Sequence, residues 1–128
     1  MLMFVHAAYA VGPAEKAKSL AGEYKGRGYI NISSQKSGRL DDKSMCSFAA
    51  TLYSGQSYIA VVGSEDYVKQ IGIYIFDPDK NKMPADNKNN GNGSLISFTA
   101  KSTGRHIFMI KGVDKNVSFE FYLISKSG

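Results

Sequence analysis

From Gly12-Pro13 onward, Ala14, Ala17, Leu20, Ala21 and Tyr24 recur at steps of three and four residues. That spacing puts them on one stripe of a helix. Pro13 suits the first helical position, where its missing N–H has no intrahelical partner to lose. Gly26 and Gly28 can stop the helix, and Glu15 near the start with Lys25 and Arg27 near the end complements the helix dipole. The pattern predicts a helix of about three turns.

From Tyr29 the period changes to two. Tyr29 to Ser33 reads as a short strand before a turn-rich stretch from Ser34 to Asp42. Met45 to Tyr53 and Ser57 to Gly63 flank the short connection Ser54-Gly55-Gln56, which predicts a hairpin. Phe48, Ala50 and Leu52 share one face of the first strand, and Tyr58, Ala60 and Val62 share one face of the second. Gln70 to Phe76 places Ile71, Ile73 and Ile75 on one face, opposite Tyr74 and Phe76. Ser94 to Ala100, Arg105 to Lys111 and Val117 to Ile124 complete the set. Their expected inner faces carry Ile96 and Phe98, then Phe108 and Ile110, then Phe119, Phe121 and Leu123. Asp77 to Gly93 breaks the rhythm with almost no apolar content and reads as a long surface loop.

The chain has 128 residues, enough for one domain, with hydrophobic content of 43% and charged content of 21% near globular averages. No apolar run is long enough for a membrane-spanning helix. The net charge is +5, but the lysines are scattered among acidic residues along the whole chain. Nucleic-acid binding needs a gathered basic stripe, so a nucleic-acid partner is not expected. Met1 to Ala10 is apolar and ends Ala8-Tyr9-Ala10, the small-x-small form of a signal-peptidase site. Residues 1–10 are therefore read as the remnant of an export signal, with an N-terminal tail or packed strand as the alternative. The folded domain is expected over 11–128. Export to the periplasm or beyond follows from the first reading, and a cytoplasmic location from the second.

Catalytic spacings are missing. The chain has no G-x-S-x-G elbow, Walker loop, H-E-x-x-H or C-x-x-C. Cys46 stands alone in an apolar strand-like run, which suits a small buried hydrophobe. His106 shares parity with Phe108 and Ile110 and is expected at the core edge. Asp41-Asp42 and Glu65-Asp66 are adjacent pairs that would splay to opposite faces of a strand, unlike the facing carboxylates of a glycosidase. Asp77, Asp79 and Asn81 copy the first alternating oxygen ligands of a calcium loop, but Lys82 and Lys88 stand where its turn glycine and bidentate glutamate belong. Asp and Asn also favour turns, so a solvated loop is expected. No catalytic, cofactor-binding or metal residue is assigned, and no cofactor is expected.

The runs Ile71-Gly72-Ile73-Tyr74-Ile75-Phe76-Asp77-Pro78-Asp79, Ile96-Ser97-Phe98-Thr99-Ala100 and Thr103-Gly104-Arg105-His106-Ile107-Phe108 together resemble the bacterial pre-peptidase C-terminal domain. Gly38-Arg39-Leu40 and Tyr53-Ser54-Gly55-Gln56-Ser57-Tyr58 are similar to its earlier strands. The resemblance implies a small jelly-roll-like β-sandwich of the kind attached to secreted hydrolases. Gln70 and Gly72 stand where that family often carries acidic residues, and His106 replaces its usual tyrosine. The first of these departures weakens the calcium role that the resemblance would otherwise imply.

The expectation is a mainly β protein: one antiparallel sandwich of seven or eight strands behind a short N-terminal helix. Its expected role is a non-catalytic, exported bacterial binding or accessory module, with a polysaccharide or an envelope protein as partner. The alternative is a protein-interaction or inhibitor subunit of a cell-envelope assembly.

Overall fold

The computed structural model describes residues 12–84 and 86–127. The export-signal reading of residues 1–10 lies outside the described residues.

Helix α1 (Pro13–Gly22) starts with Pro13 in the first turn and leads into a 3-10 turn, Lys25–Arg27. Gly28 closes that turn in the left-handed region, with φ +93°. The expected stripe is the buried one: Ala17, Leu20, Ala21 and Tyr24. Eight strands follow: β1 (Tyr29–Arg39), β2 (Met45–Leu52), β3 (Ser57–Ser64), β4 (Ile71–Phe76), β5 (Asp86–Asn90), β6 (Gly93–Thr99), β7 (Gly104–Gly112) and β8 (Ser118–Lys126). They form a five-stranded sheet in the order β1-β8-β3-β6-β5 and a three-stranded sheet in the order β2-β7-β4. Every pairing is antiparallel. The sandwich expected from the alternation is therefore present.

The core between the sheets contains the residues that parity assigned to it. Leu52, Tyr58, Ala60, Val62, Ile71, Ile73, Ile75, Ile96, Phe98, Phe108, Ile110, Phe119, Phe121 and Leu123 belong to one buried cluster, with Phe48 and Ala50 packed against it. Aromatic rings join the two layers. Phe48 on β2 meets Phe121 on β8 edge-on at 4.8 Å, and Phe121 lies 5.3 Å from Phe108 on β7. Such pairs add about 0.5–1.5 kcal/mol each beyond the area they bury.

A second core lies on the outer face of the larger sheet. Ala17, Leu20, Ala21 and Tyr24 of α1 pack on Ile59 and Val61 of β3, Leu95 of β6, and Tyr122 and Ile124 of β8. The helix settles on a glycine saddle, since Gly63 and Gly93 are register partners across β3 and β6. A Cβ at Gly63 would come within 2.3 Å of the Pro13 carbonyl oxygen and 2.5 Å of the Ala17 nitrogen.

Three expectations need correction. β2 and β3 are not a hairpin, because they lie in different sheets and the Ser54-Gly55-Gln56 connection arches between them. Their apolar faces look at each other across the core, an arrangement with the same period-two pattern as a hairpin. The stretch after Ser33 is not a turn but the continuation of β1 to Arg39. Its polar side chains suit an edge, where Gln35 Nε2 and Ser37 Oγ donate to the Glu120 carboxylate across the ladder. The long Asp77–Gly93 loop is also shortened, because β5 pairs with β6 from Asp86 to Asn90. Gly91 in the turn between them has φ +58°, as a two-residue hairpin loop with glycine first requires.

Gly63→Ala should destabilise the protein by about 2 kcal/mol, because its methyl meets helix backbone that cannot rotate away. Gly72→Ala is its control, with no atom closer than 3.9 Å to the added Cβ. Urea melts of the two variants check this. Equal midpoints would show that α1 does not depend on the saddle.

Candidate functional site

The two sheets differ in width, and a cleft of about 500 Å³ opens between them on the side of their edge strands β1 and β2. Ser33 and Ser34 of β1 and Ser125 of β8 form one wall, and Ala49, Ala50 and Thr51 of β2 form the other. Tyr58 of β3 and Leu123 of β8 close it on the core side, and Tyr53 and Gln56 of the β2–β3 arch stand at its end. None of these ten lining residues is Asp, Glu, Lys, Arg, His or Cys. Hydroxyls and one amide supply its polar side-chain groups.

The backbone builds this arrangement. β1 shifts register against β8 between Ile32 and Ser34, so that Ser33 is an extra residue and two successive serines reach the cleft. The arch is held by the Gly55 N–H donating to the Ala100 carbonyl at 2.8 Å and the Ala100 N–H donating to the Gln56 carbonyl at 3.0 Å. Gln56 Nε2 donates to the carbonyls of Ser57 and Lys126 at 3.1 and 2.9 Å, which pins its amide. The buried Tyr58 hydroxyl accepts from the Tyr53 N–H at 3.0 Å, so its own proton is available to another acceptor. Tyr53 is 61% exposed. Such a site can offer hydroxyl and amide hydrogen bonds beside a solvent-facing ring, with no side chain in its lining suited to proton transfer near neutral pH.

The residues singled out in the sequence lie elsewhere. Asp77 Oδ1 accepts from the N–H groups of Asp79 and Asn81, both at 2.9 Å. The Lys80 N–H donates to the Asp77 carbonyl, and the Asp77 N–H donates to the Asn81 carbonyl. Asp77 is thus the builder of a tight turn, and no group of three or more metal-ligating side chains occurs among the described residues. His106 is fully buried, deeper than the core edge expected for it. Its Nδ1 donates to the Gly104 carbonyl at 2.9 Å, which can only accept, and its Nε2 is buried without a hydrogen-bond partner among the described residues. Cys46 packs against the main core, and its thiol pKa is raised by burial, with Lys36 opposing and Asp41 adding to the shift. Glu65-Asp66 and Asp41-Asp42 do not line the cleft. Asp41 instead accepts from the Lys43 and Met45 N–H groups.

The cleft itself was missed in the sequence. Its residues come from β1, β2, β3, β8 and the arch, and no spacing links them. The one available signal was Tyr53-Ser54-Gly55-Gln56-Ser57-Tyr58, where two tyrosines flank a polar turn.

No family model matches the chain, and no curated protein matches it. Solved structures do. The pre-peptidase C-terminal domain of collagenase from Bacillus anthracis superposes with a TM-score of 0.57 at 17% identity, over 76% of this chain and 91% of that one. The chain is similar in fold to that domain. The periplasmic inhibitor of g-type lysozyme from Aeromonas hydrophila gives 0.57 at 12% identity, over 75% and 88% of the two chains. The Yersinia pseudotuberculosis-derived mitogen gives 0.53 at 15% identity, over 77% and 88%. At these identities the likeness is one of fold, and it confirms the sandwich that the strand and turn residues of Gly38 to Ile124 resemble.

Asp77→Ala should cost about 1 kcal/mol through the lost side-chain acceptor, while Asp79→Ala should stay within about 0.5 kcal/mol. Millimolar calcium or EDTA should leave the thermal melt of the parent chain unmoved. A calcium-dependent rise that Asp77→Ala removes would make the turn a metal loop.

Proposed function

We propose that this chain is a non-catalytic binding module of an exported bacterial protein, and that its inter-sheet cleft takes a neutral polyhydroxylated chain, a polysaccharide. The observation that carries this reading is the lining of the cleft, with hydroxyls, one amide and an exposed tyrosine but no ionisable acid–base pair. A sugar ring presents hydroxyls that both donate and accept, together with an apolar face that can lie on an aromatic ring. Convergent polar groups beside an aromatic surface suit such a ligand. The neighbours support the class of role: one is the pre-peptidase C-terminal domain of a collagenase, and another is a periplasmic lysozyme inhibitor. No helix among the described residues is long and apolar enough to cross a membrane.

A protein partner is the second reading, an interaction or inhibitor subunit of an envelope assembly. It is favoured by Tyr67 and Val113, 65% and 62% exposed. They sit on neighbouring loops joined by the Lys69 N–H donating to Asp114 Oδ2 at 3.2 Å.

Affinity electrophoresis of the full chain through gels containing neutral glucans and xylans, or charged uronate polymers, tests the first reading. Retardation by a neutral polymer is expected. Tyr53→Ala should weaken it by about tenfold, the loss of one aromatic platform, with the melt unchanged. Undiminished retardation of Tyr53→Ala, or retardation by uronate polymers alone, would overturn the assignment to this cleft.

A further inference from the structure

A second recess lies on the outer face of the larger sheet, between α1 and the edge strand β1. It has a volume of about 500 Å³ and shares no residue with the inter-sheet cleft. Its strand side is apolar. Ile30 and Ile32 of β1 are 59% and 61% exposed, and Tyr122 and Ile124 of β8 lie beside them. Its helix side carries Lys18 of α1 and Lys25 of the following turn, both exposed, and neither forms an ion pair among the described residues. Lys126 adds positive charge nearby, with its Nζ 5.9 Å from the ring of Tyr29 in the same recess. Two carboxylates lie close enough to act on Tyr122, Glu15 and Glu120, but neither lines the recess. The Glu120 carboxylate is held by Gln35 and Ser37.

Charge and shape together select the occupant. A second copy would bring Lys18 and Lys25 against like charges. An added strand would need β1 as a regular template, but β1 shifts register between Tyr29 and Asn31 and again between Ile32 and Ser34. The recess has eight lining residues, whereas a stable protein–protein interface uses about 20–30 residues a side. Its volume falls within the range of small-molecule sites, about 300–1,000 Å³.

We propose that the α1–β1 recess binds a single-chain amphiphile with an anionic head, a fatty carboxylate. The alkyl chain lies on Ile30, Ile32, Tyr122 and Ile124, and the carboxylate meets the ammonium groups of Lys18 and Lys25. The site is independent of the polysaccharide cleft, and either can be present without the other.

The test is a methyl-resolved NMR titration of the full chain with dodecanoate below its micelle-forming concentration, alongside dodecylammonium as the cationic counterpart. Saturable shifts are expected at Ile30, Ile32 and Ile124, with Ala49, Ala50 and Leu123 of the inter-sheet cleft unmoved. The double variant Lys18→Glu with Lys25→Glu should keep its melting temperature, lose about tenfold in dodecanoate affinity and gain affinity for dodecylammonium. The proposal is overturned if shifts in the recess are absent, if they spread evenly over other isoleucines, or if the parent chain binds the cationic amphiphile as well as the anionic one. Retained dodecanoate affinity in the double variant would overturn the role of the lysines and the proposal with it.

Discussion

Burial of β3 on both faces is the constraint on which the rest of the structure depends. Every residue from Tyr58 to Ser64 is buried. Tyr58, Ala60 and Val62 face the sandwich core, while Ile59 and Val61 face the helix. Each buried valine or isoleucine among them contributes about 1.5–3 kcal/mol only if something covers it. The second sheet covers one set and α1 covers the other, which makes the helix a third layer of the fold. The Gly63–Gly93 saddle lets the first turn of α1 approach the sheet closely enough for Ala17 and Leu20 to seal it. Larger residues there would lift the helix and expose Ile59, Val61 and Leu95 together.

Both recesses follow from unequal layer widths. Strands spaced about 4.8 Å apart make the five-stranded sheet roughly 19 Å across and the three-stranded sheet roughly 10 Å. One helix is about 10–12 Å across. Neither covering layer can span the larger sheet, and the uncovered margin at β1 becomes concave on each side. On the inner side this leaves the hydroxyl-lined cleft, and on the outer side the apolar recess beside α1. Further along β1, Lys36 reaches inward over Phe48 of β2, with Nζ 6.0 Å from the ring centroid. An inward-pointing charge at a sheet edge discourages another strand from adding there. It therefore helps keep the margin open to ligands of other shapes.

Most of the fold was legible in the sequence because a half-buried strand must alternate, and the inner faces from Phe48 to Leu123 did so. The helix was legible for the same reason, since one stripe alone had to meet the sheet. Connectivity was less legible. The period-two pattern of Met45 to Gly63 is identical whether the strands pair or face each other, and the arch differs from a hairpin only in long-range partners. β1 beyond Ser33 and β5 were missed because edge strands take their hydrogen bonds from one neighbour and can remain polar. The cleft was illegible for a deeper reason. It is assembled from short polar residues that would read as ordinary turn or edge positions anywhere in the chain, and only the width mismatch brings them together. The calcium-like spacing of Asp77, Asp79 and Asn81 was legible but carried turn geometry instead, with one carboxylate oxygen holding two backbone N–H groups.

β1 and β8 serve both recesses at once, and their alternation separates two chemistries across one layer. Along β8, Tyr122 and Ile124 face the outer recess, while Leu123 and Ser125 face the cleft. Along β1, Ile30 and Ile32 turn outward and Ser34 turns inward, although 32 and 34 would share a face in a regular strand. The extra residue Ser33 resolves this conflict by reversing the parity. Without it, Ser34 would follow the isoleucines into the apolar recess and Lys36 would leave Phe48 for the helix side, since a one-residue slip exchanges the faces of everything beyond it. The bulge at Ser33 thus keeps the neutral hydrogen-bonding surface apart from the apolar, positively framed one.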